Sequence, residues 1–388
     1  MNEERQAAKA LETIAAAHGV ATDKAFGAVT PPLYLSSTYA FNGYEQPNRY
    51  DYGRAGNPSR DLLSEALAQL EGGAGAVITS SGMAAVDLLL GQLKPKDLVI
   101  APHDCYGGTY RLLKARADRG HFSLRFIDQS NHSAFAAVLE DVPALVLIET
   151  PSNPLMRVVD IAALASKAKA AGAMVAVDNT FLSPALQRPI TLGADFVIHS
   201  TTKYLNGHSD VIGGAVVAAD PAQVDALKAW ANVIGTTGAP FDAWLTLRGL
   251  RTLFPRIERQ QSTASVIARH LENHPAVACV YYPGLASHPD HAIAARQQRG
   301  YGAMLSFELA GGVEAVKRFV TEVRMFTLAE SLGGVESLVA HPATMTHADM
   351  GEKARRTAGI SDSLLRVSVG LEDEHDLLKG LDQGLAAC

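Results

Sequence analysis

The sequence predicts an α/β protein, with a mainly parallel sheet in a large domain and a smaller C-terminal α+β domain. Three observations carry this. Short apolar runs alternate with helical periodicities through the middle of the chain, the pattern of strand–helix–strand units. The runs are apolar at successive positions, as strands covered on both faces require. Beyond residue 274 the alternation gives way to strands of another character, and 388 residues exceed what one core normally holds.

Taken in order, residues 1–17 read as an amphipathic helix, followed by a polar stretch marked by Pro and Gly; together they form an arm over 1–58. "SRDLLSEALAQLEGG" reads as a helix with Ser59 as N-cap, apolar residues at 62, 63, 66, 67 and 70, and a Gly-Gly stop. A strand over 74–81 and a helix over 82–93 follow. "DLVIAP", "LRFID", "ALVLIET", "AMVAVDNT" and "DFVIHS" read as strands, and "DIAALASKAKAAG" as one of the helices between them. Residues 240–274 read as one long or interrupted helix, and "GAMLSFEL" and "LLRVSVGLE" as half-buried strands. The division expected is 59–250 for the large domain and 251–388 for the C-terminal one.

Composition excludes several classes of function. The net charge is −6 and no Lys/Arg cluster stands out, so neither a nucleic-acid footprint nor a polybasic membrane patch is expected. Charged residues make up 19%, below the roughly 25% of average soluble chains, which favours burial of surface in an oligomer. The N-terminus lacks the apolar core of a secretory signal. Apolar runs such as "VIGGAVVAA" are far shorter than the ~18 residues of a membrane span. Cys105, Cys279 and Cys388 are scattered without a CxxC pair, so a reducing, cytoplasmic setting is expected. His103, His199, His208, His341 and His347 have no ligand spacing, so no metal site is expected.

The chemistry gathers around three stretches. "AVITSSGMAA" runs from strand to helix and offers the N–H groups of Gly82 and Met83 to a phosphate. By itself it reads first as an ordinary turn capped by Ser81. "AMVAVDNT" ends an apolar run on Asp178, a costly carboxylate unless paired, or else a loop cap. "VIHSTTKYLNGH" then delivers Lys203, 25 positions later, beside Ser200 and Thr202. A lone lysine there is usually a snorkelling surface residue. The three together suit one cofactor, pyridoxal phosphate, which needs a lysine for covalent attachment, a carboxylate at its ring nitrogen and a phosphate cradle. Tyr106, in the Gly-rich "HDCYGGTYR", supplies an aromatic to stack on the ring.

With these motifs the chain resembles the Cys/Met-metabolism family of pyridoxal-phosphate enzymes. The likeness runs over nearly the whole length and includes "YDYGRAGNPSR", "SGMAA", "ETPSNPL", "GADFVIHSTTKYLNGHSDVIGG", "FTLAESLGGVESL" and "LLRVSVGLED". The resemblance implies fold type I and a homotetramer built as a dimer of active dimers. It implies that Lys203 carries the cofactor, Asp178 holds its ring nitrogen and Tyr106 stacks on it. Gly82, Met83, Ser200 and Thr202 would bind the phosphate, with Tyr52 and Arg54 of the neighbouring subunit. Arg366 would take the substrate α-carboxylate, near Ser331 and Asn153.

The activity implied is replacement at Cγ of O-succinyl- or O-acetylhomoserine by cysteine, on the way to methionine. The alternative is splitting of cystathionine into cysteine, ammonia and 2-oxobutyrate. Glu330, before Ser331, and Arg111, which resembles the arginine that meets a succinyl carboxylate, favour replacement. Ala55 departs from the family, standing where many similar sequences carry a second basic residue. An intact Asp178–Lys203–Arg366 set argues against a catalytically silent scaffold.

Overall fold

The computed structural model describes residues 9–388, and the first residues of the expected N-terminal helix lie outside that range. Its described part, Leu11–Ala17, is helical. Seven strands form the larger sheet: β1 Gly75–Thr79, β2 Leu98–Pro102, β3 Ser123–Ile127, β4 Leu145–Glu149, β5 Met174–Asp178, β6 Phe196–Ser200 and β7 Gly214–Ala218. Their order is β1-β7-β6-β5-β4-β2-β3. The block β6-β5-β4-β2-β3 is parallel throughout. Strand β7, which the expected alternation leaves out, runs antiparallel to both β6 and β1. Its Gly-Gly entry and all-apolar run made it readable only as a short buried segment.

Because β4, β5 and β6 are parallel and in register, their carboxyl ends reach one edge of the sheet. Glu149 pairs with Asp178 across β4 and β5, and Asp178 with Ile198 across β5 and β6. That edge is where open parallel sheets present their ligand sites.

The first long helix, Pro58–Glu71, shows how local chemistry sets an element. Its cap is Asn57, whose side chain accepts from the N–H groups of Ser59 and Arg60. This corrects the expected cap at Ser59. Pro58 has no N–H to satisfy and so suits the first helical position, which shifts the start forward. The Ser59 hydroxyl instead accepts from Tyr34 N–H at 2.9 Å, tying the arm down. Leu63, Leu67 and Leu70 are fully buried, each contributing about 1.5–3 kcal/mol relative to exposure.

The helical stretch at 240–274 is interrupted, as Pro240–Leu250 and Leu253–Glu272. After it come β8 Val277–Tyr281, β9 Met304–Leu309, β10 Thr327–Leu328, β11 Leu338–Ala340 and β12 Leu364–Ser368, in the order β10-β11-β12-β9-β8. Strands β9 and β12 are buried along almost their whole length, not half-buried as expected. One apolar cluster links Leu305 and Phe307 of β9 to Leu253 and Ile257 of the long helix and to Leu377 and Leu381 near the C-terminus. On the other side the small sheet meets the large one: Ser306 Oγ donates to Pro154 O at 2.7 Å. Polar residues on that inner face are therefore buried at the junction. Among the described residues, no helix is long and apolar enough to cross a membrane.

Candidate active site

A cavity of about 800 Å³ opens where the carboxyl edge of the large sheet meets the small sheet. The turn after β1 supplies one wall. Ser81 Oγ caps the helix Gly82–Leu90 by accepting from Ala84 N–H at 3.1 Å. Both readings of that turn are thus compatible, since the cap leaves the first N–H groups, those of Gly82 and Met83, without intrahelical acceptors. Gly82 is required by close approach, because a Cβ there would stand 2.8 Å from Ser200 Cβ. Ser200, ending β6, and Thr202 line the same wall. The Thr202 hydroxyl also ties back to Gly213, accepting from its N–H at 3.0 Å.

Lys203 follows directly, and its amine donates to Ser331 Oγ at 2.7 Å. Burial, with the nearby Arg366 charge, lowers its ammonium to about 8. A free amine is therefore within reach near neutral pH. This is no snorkelling lysine.

Asp178 faces the cavity from the end of β5. Burial pushes its carboxyl upward, opposed by Thr180, whose N–H donates to Asp178 Oδ1 at 3.0 Å, and by His199. Neither Asp178 nor its neighbour Glu149 has an ion-pair partner among the described residues. Tyr106, heading the helix Gly107–Asp118, borders the same space and keeps 39% of its surface exposed.

The small sheet contributes Arg366, in β12 and 3% exposed. Its Nη1 donates to Asn153 Oδ1 at 3.0 Å and its Nη2 to Ser331 O at 2.8 Å, while Nε is buried without a partner. Burial lowers this guanidinium to about 10. A buried guanidinium without a carboxylate is costly, and an incoming anion would offset that cost. Ser331 holds a left-handed backbone at φ 81°. Strain of this kind persists where surrounding contacts over-determine it, here Lys203 on the hydroxyl and Arg366 on the carbonyl. Glu330 lines the cavity beside it.

Arg111 is not brought to this cavity, and Tyr52 and Arg54, expected to serve the neighbouring subunit's site, lie away from it. Arg111 pairs instead with Asp349, both side chains more than half exposed. Arg54 Nε donates to Asn232 Oδ1 at 3.0 Å and its guanidinium lies over the Tyr52 ring, both residues on the outer surface of the arm. Arg54 borders a second cavity of about 270 Å³. Of the histidines, His199 is buried against Glu71, Nε2 to Oε1 at 2.7 Å. His347 Nε2 is 3.0 Å from Asn153 O, and burial lowers its ring to about 4. No cluster suited to a metal ion occurs among the described residues.

Sequence reasoning passed over Glu149, although it ends β4 as Asp178 ends β5. An acidic residue closing an apolar strand was signal enough for both. Thr180 was passed over too, and nothing local distinguishes it.

The arrangement fits pyridoxal phosphate. It offers an unpaired carboxylate for a cationic ring nitrogen, a partly buried amine for an aldehyde and a helix N-terminus that only glycine leaves open for a phosphate. The unpartnered Arg366 remains for the carboxylate of an amino acid.

Comparison with known proteins agrees. The model of the Cys/Met metabolism PLP-dependent enzymes matches residues 12–386. The chain is 55% identical over 376 residues to cystathionine gamma-synthase of Escherichia coli (strain K12), covering 97% of each chain. It is 46% identical over 367 residues to cystathionine beta-lyase of Lactococcus lactis subsp. cremoris, covering 95% of this chain and 96% of that one. Among solved structures, cystathionine gamma synthase from Xanthomonas oryzae pv. oryzae in complex with cystathionine superposes with a TM-score of 0.97, at 57% identity and 98% coverage of both chains.

Proposed function

Since the chain belongs to the Cys/Met metabolism PLP-dependent enzyme family, we propose that it catalyses the cystathionine γ-synthase reaction. Cysteine sulfur forms a bond to Cγ of an O-acylated homoserine, preferably the succinyl ester. The Cγ–O bond breaks, the thiol proton is released, and the acyl group leaves as a carboxylate. The observation that carries the reading is the pairing, in one cavity, of a partly buried amine lowered to about 8 with a buried arginine that has no carboxylate of its own. High identity to a relative of that name supports it.

Bound pyridoxal phosphate supplies an electrophilic aldehyde and an electron sink beside the substrate α-carbon. The chain's own residues do the rest. Gly82 and Met83 N–H, with the Ser200 and Thr202 hydroxyls, seat the phosphate. Asp178 holds a proton at the ring nitrogen, and Tyr106 packs on the ring face. Arg366, its fork already half engaged by Asn153 and Ser331, orients the α-carboxylate. Lys203 Nζ would be the amine that holds the cofactor's aldehyde, and as a free amine it would take the proton at Cα. The Ser331 hydroxyl steers that amine from 2.7 Å. Glu330 lines the cavity beside Ser331.

The protein is proposed to be a cytoplasmic homotetramer of paired dimers, with Tyr52 and Arg54 serving the partner's site. Phe26, Leu35 and Tyr44 on the arm expose 94%, 69% and 89% of their surfaces, more apolar area than a solitary arm would carry. All three cysteines are free.

The decisive experiment supplies O-succinylhomoserine with and without cysteine, then cystathionine alone, and measures cystathionine and 2-oxobutyrate. Cystathionine formed only with cysteine is expected. Rapid 2-oxobutyrate release from cystathionine, with no synthesis, overturns the reading in favour of a γ-lyase.

A further inference from the structure

Glu149 is partly buried at the cavity wall, yet none of the roles above uses it. Its carboxylate accepts two backbone hydrogen bonds from two different loops. Oε2 takes Tyr106 N–H at 2.9 Å, on the loop between β2 and the next helix. Oε1 takes Asn153 N–H at 3.1 Å, on the loop leaving β4. Tyr106 presents its ring to the cavity, and Asn153 presents Oδ1 to Arg366 Nη1 at 3.0 Å. One group therefore sits beneath both the aromatic that borders the cavity and the side chain that steadies the buried guanidinium.

Holding a carboxylate there is expensive. Burial, then the charge of Asp178 in register beside it, pushes the Glu149 carboxyl well above the usual carboxylate range. No cation pairs with it among the described residues. An apolar residue would avoid the cost but leave two buried N–H groups without acceptors. Glutamine would offer one acceptor oxygen and turn an NH₂ donor against the second N–H. Aspartate is one methylene shorter and would draw its carboxylate back from both N–H groups. A two-oxygen acceptor on this stem is what the two loops share.

We propose that Glu149 is a positioning residue, setting Tyr106 directly and Arg366 through Asn153, so that cofactor face and carboxylate fork are held by one group. This rests on the reaction proposed above. It differs from a purely structural role, which would move stability alone.

The test compares wild type, Glu149→Gln, Asn153→Ala and the double variant. Four quantities are read: Tm, affinity of the cofactor-free chain for pyridoxal phosphate, visible circular dichroism of the loaded protein, and KM and kcat for O-succinylhomoserine. In Glu149→Gln we expect KM to rise about tenfold, the scale of one lost hydrogen bond to a charged group. The visible dichroism should change, and cofactor affinity should fall. Asn153→Ala should raise KM similarly, and the double variant should be no worse than the poorer single one, because both act on Arg366. A lowered Tm with unchanged KM, dichroism and affinity would overturn the proposal. So would KM effects that multiply in the double variant. If Glu149→Gln does not fold, Glu149→Asp, which keeps the charge on a shorter stem, must show the same pattern or the idea fails. Wild type that binds cofactor but makes no cystathionine would refute the reaction instead, and the dichroism and affinity would still decide Glu149.

Discussion

The Lys203 amine and the Ser331 hydroxyl lie 2.7 Å apart, although 128 positions separate them in the chain. One ends the carboxyl edge of the large sheet and the other follows β10 of the small sheet. The Lys203 amine is thus held by a residue next to the small sheet, so this contact forms only when the two sheets are packed together.

If Lys203 holds the cofactor as proposed, its lowered ammonium should make covalent capture pH-dependent. Only the neutral amine attacks an aldehyde, and below the pKa its fraction grows about tenfold per pH unit. Capture by the cofactor-free chain should therefore accelerate up to about pH 8 and level off above it. Stopped-flow absorbance measures this, and a rise continuing past pH 10 would mean the amine is not depressed. Borohydride reduction and peptide mapping should place the cofactor on the peptide containing Lys203. Lys203→Ala should lose at least about 10³-fold in turnover while retaining the fold.

Asp178→Asn keeps shape and removes the charge proposed to face the ring nitrogen. Turnover should drop by about 100-fold or more, the scale of one key electrostatic interaction at a reacting centre. Steady-state kinetics decide it, and near-normal turnover would remove Asp178 from that role.

Arg111, expected to meet a succinyl carboxylate, is engaged by Asp349. Arg111→Ala should raise KM for O-succinylhomoserine more than for O-acetylhomoserine, since only the former carries that charge. Asp349→Ala should free the arginine and lower KM for the succinyl ester by up to about fivefold, the ceiling for an exposed pair. Equal effects on both esters would mean that Arg111 is structural or serves the α-carboxylate or the cofactor.

If Arg54 serves the partner's site, two inactive variants should complement. Lys203→Ala and Arg54→Ala, mixed under conditions of subunit exchange, form dimers in which one site is whole and the other doubly defective. Activity should return to at most about one quarter of wild type for random pairing. Exchange verified by mass spectrometry without recovered activity would return Arg54 to its own subunit's surface.

What the sequence determined by itself was local. The run of apolar strands, the Ser81–Gly82 turn, Asp178 closing a strand and Lys203 after the next one are all set by neighbours in the chain, where periodicity and capping act. Even Glu149 was open to the same reasoning as Asp178. The cap at Asn57 was missed by two residues because Pro58 moved the helix start, and β7 because a short apolar run has no direction until it pairs. Tertiary structure alone decided the rest. That Arg366 is buried without a carboxylate, that Ser331 reaches Lys203, that Glu149 holds two loops and that Arg111 is taken by Asp349 are contacts between distant segments. A charge in a strand reads the same on a surface edge or in a sealed junction. Only the packing of one sheet on another removes the water that would have left it unremarked.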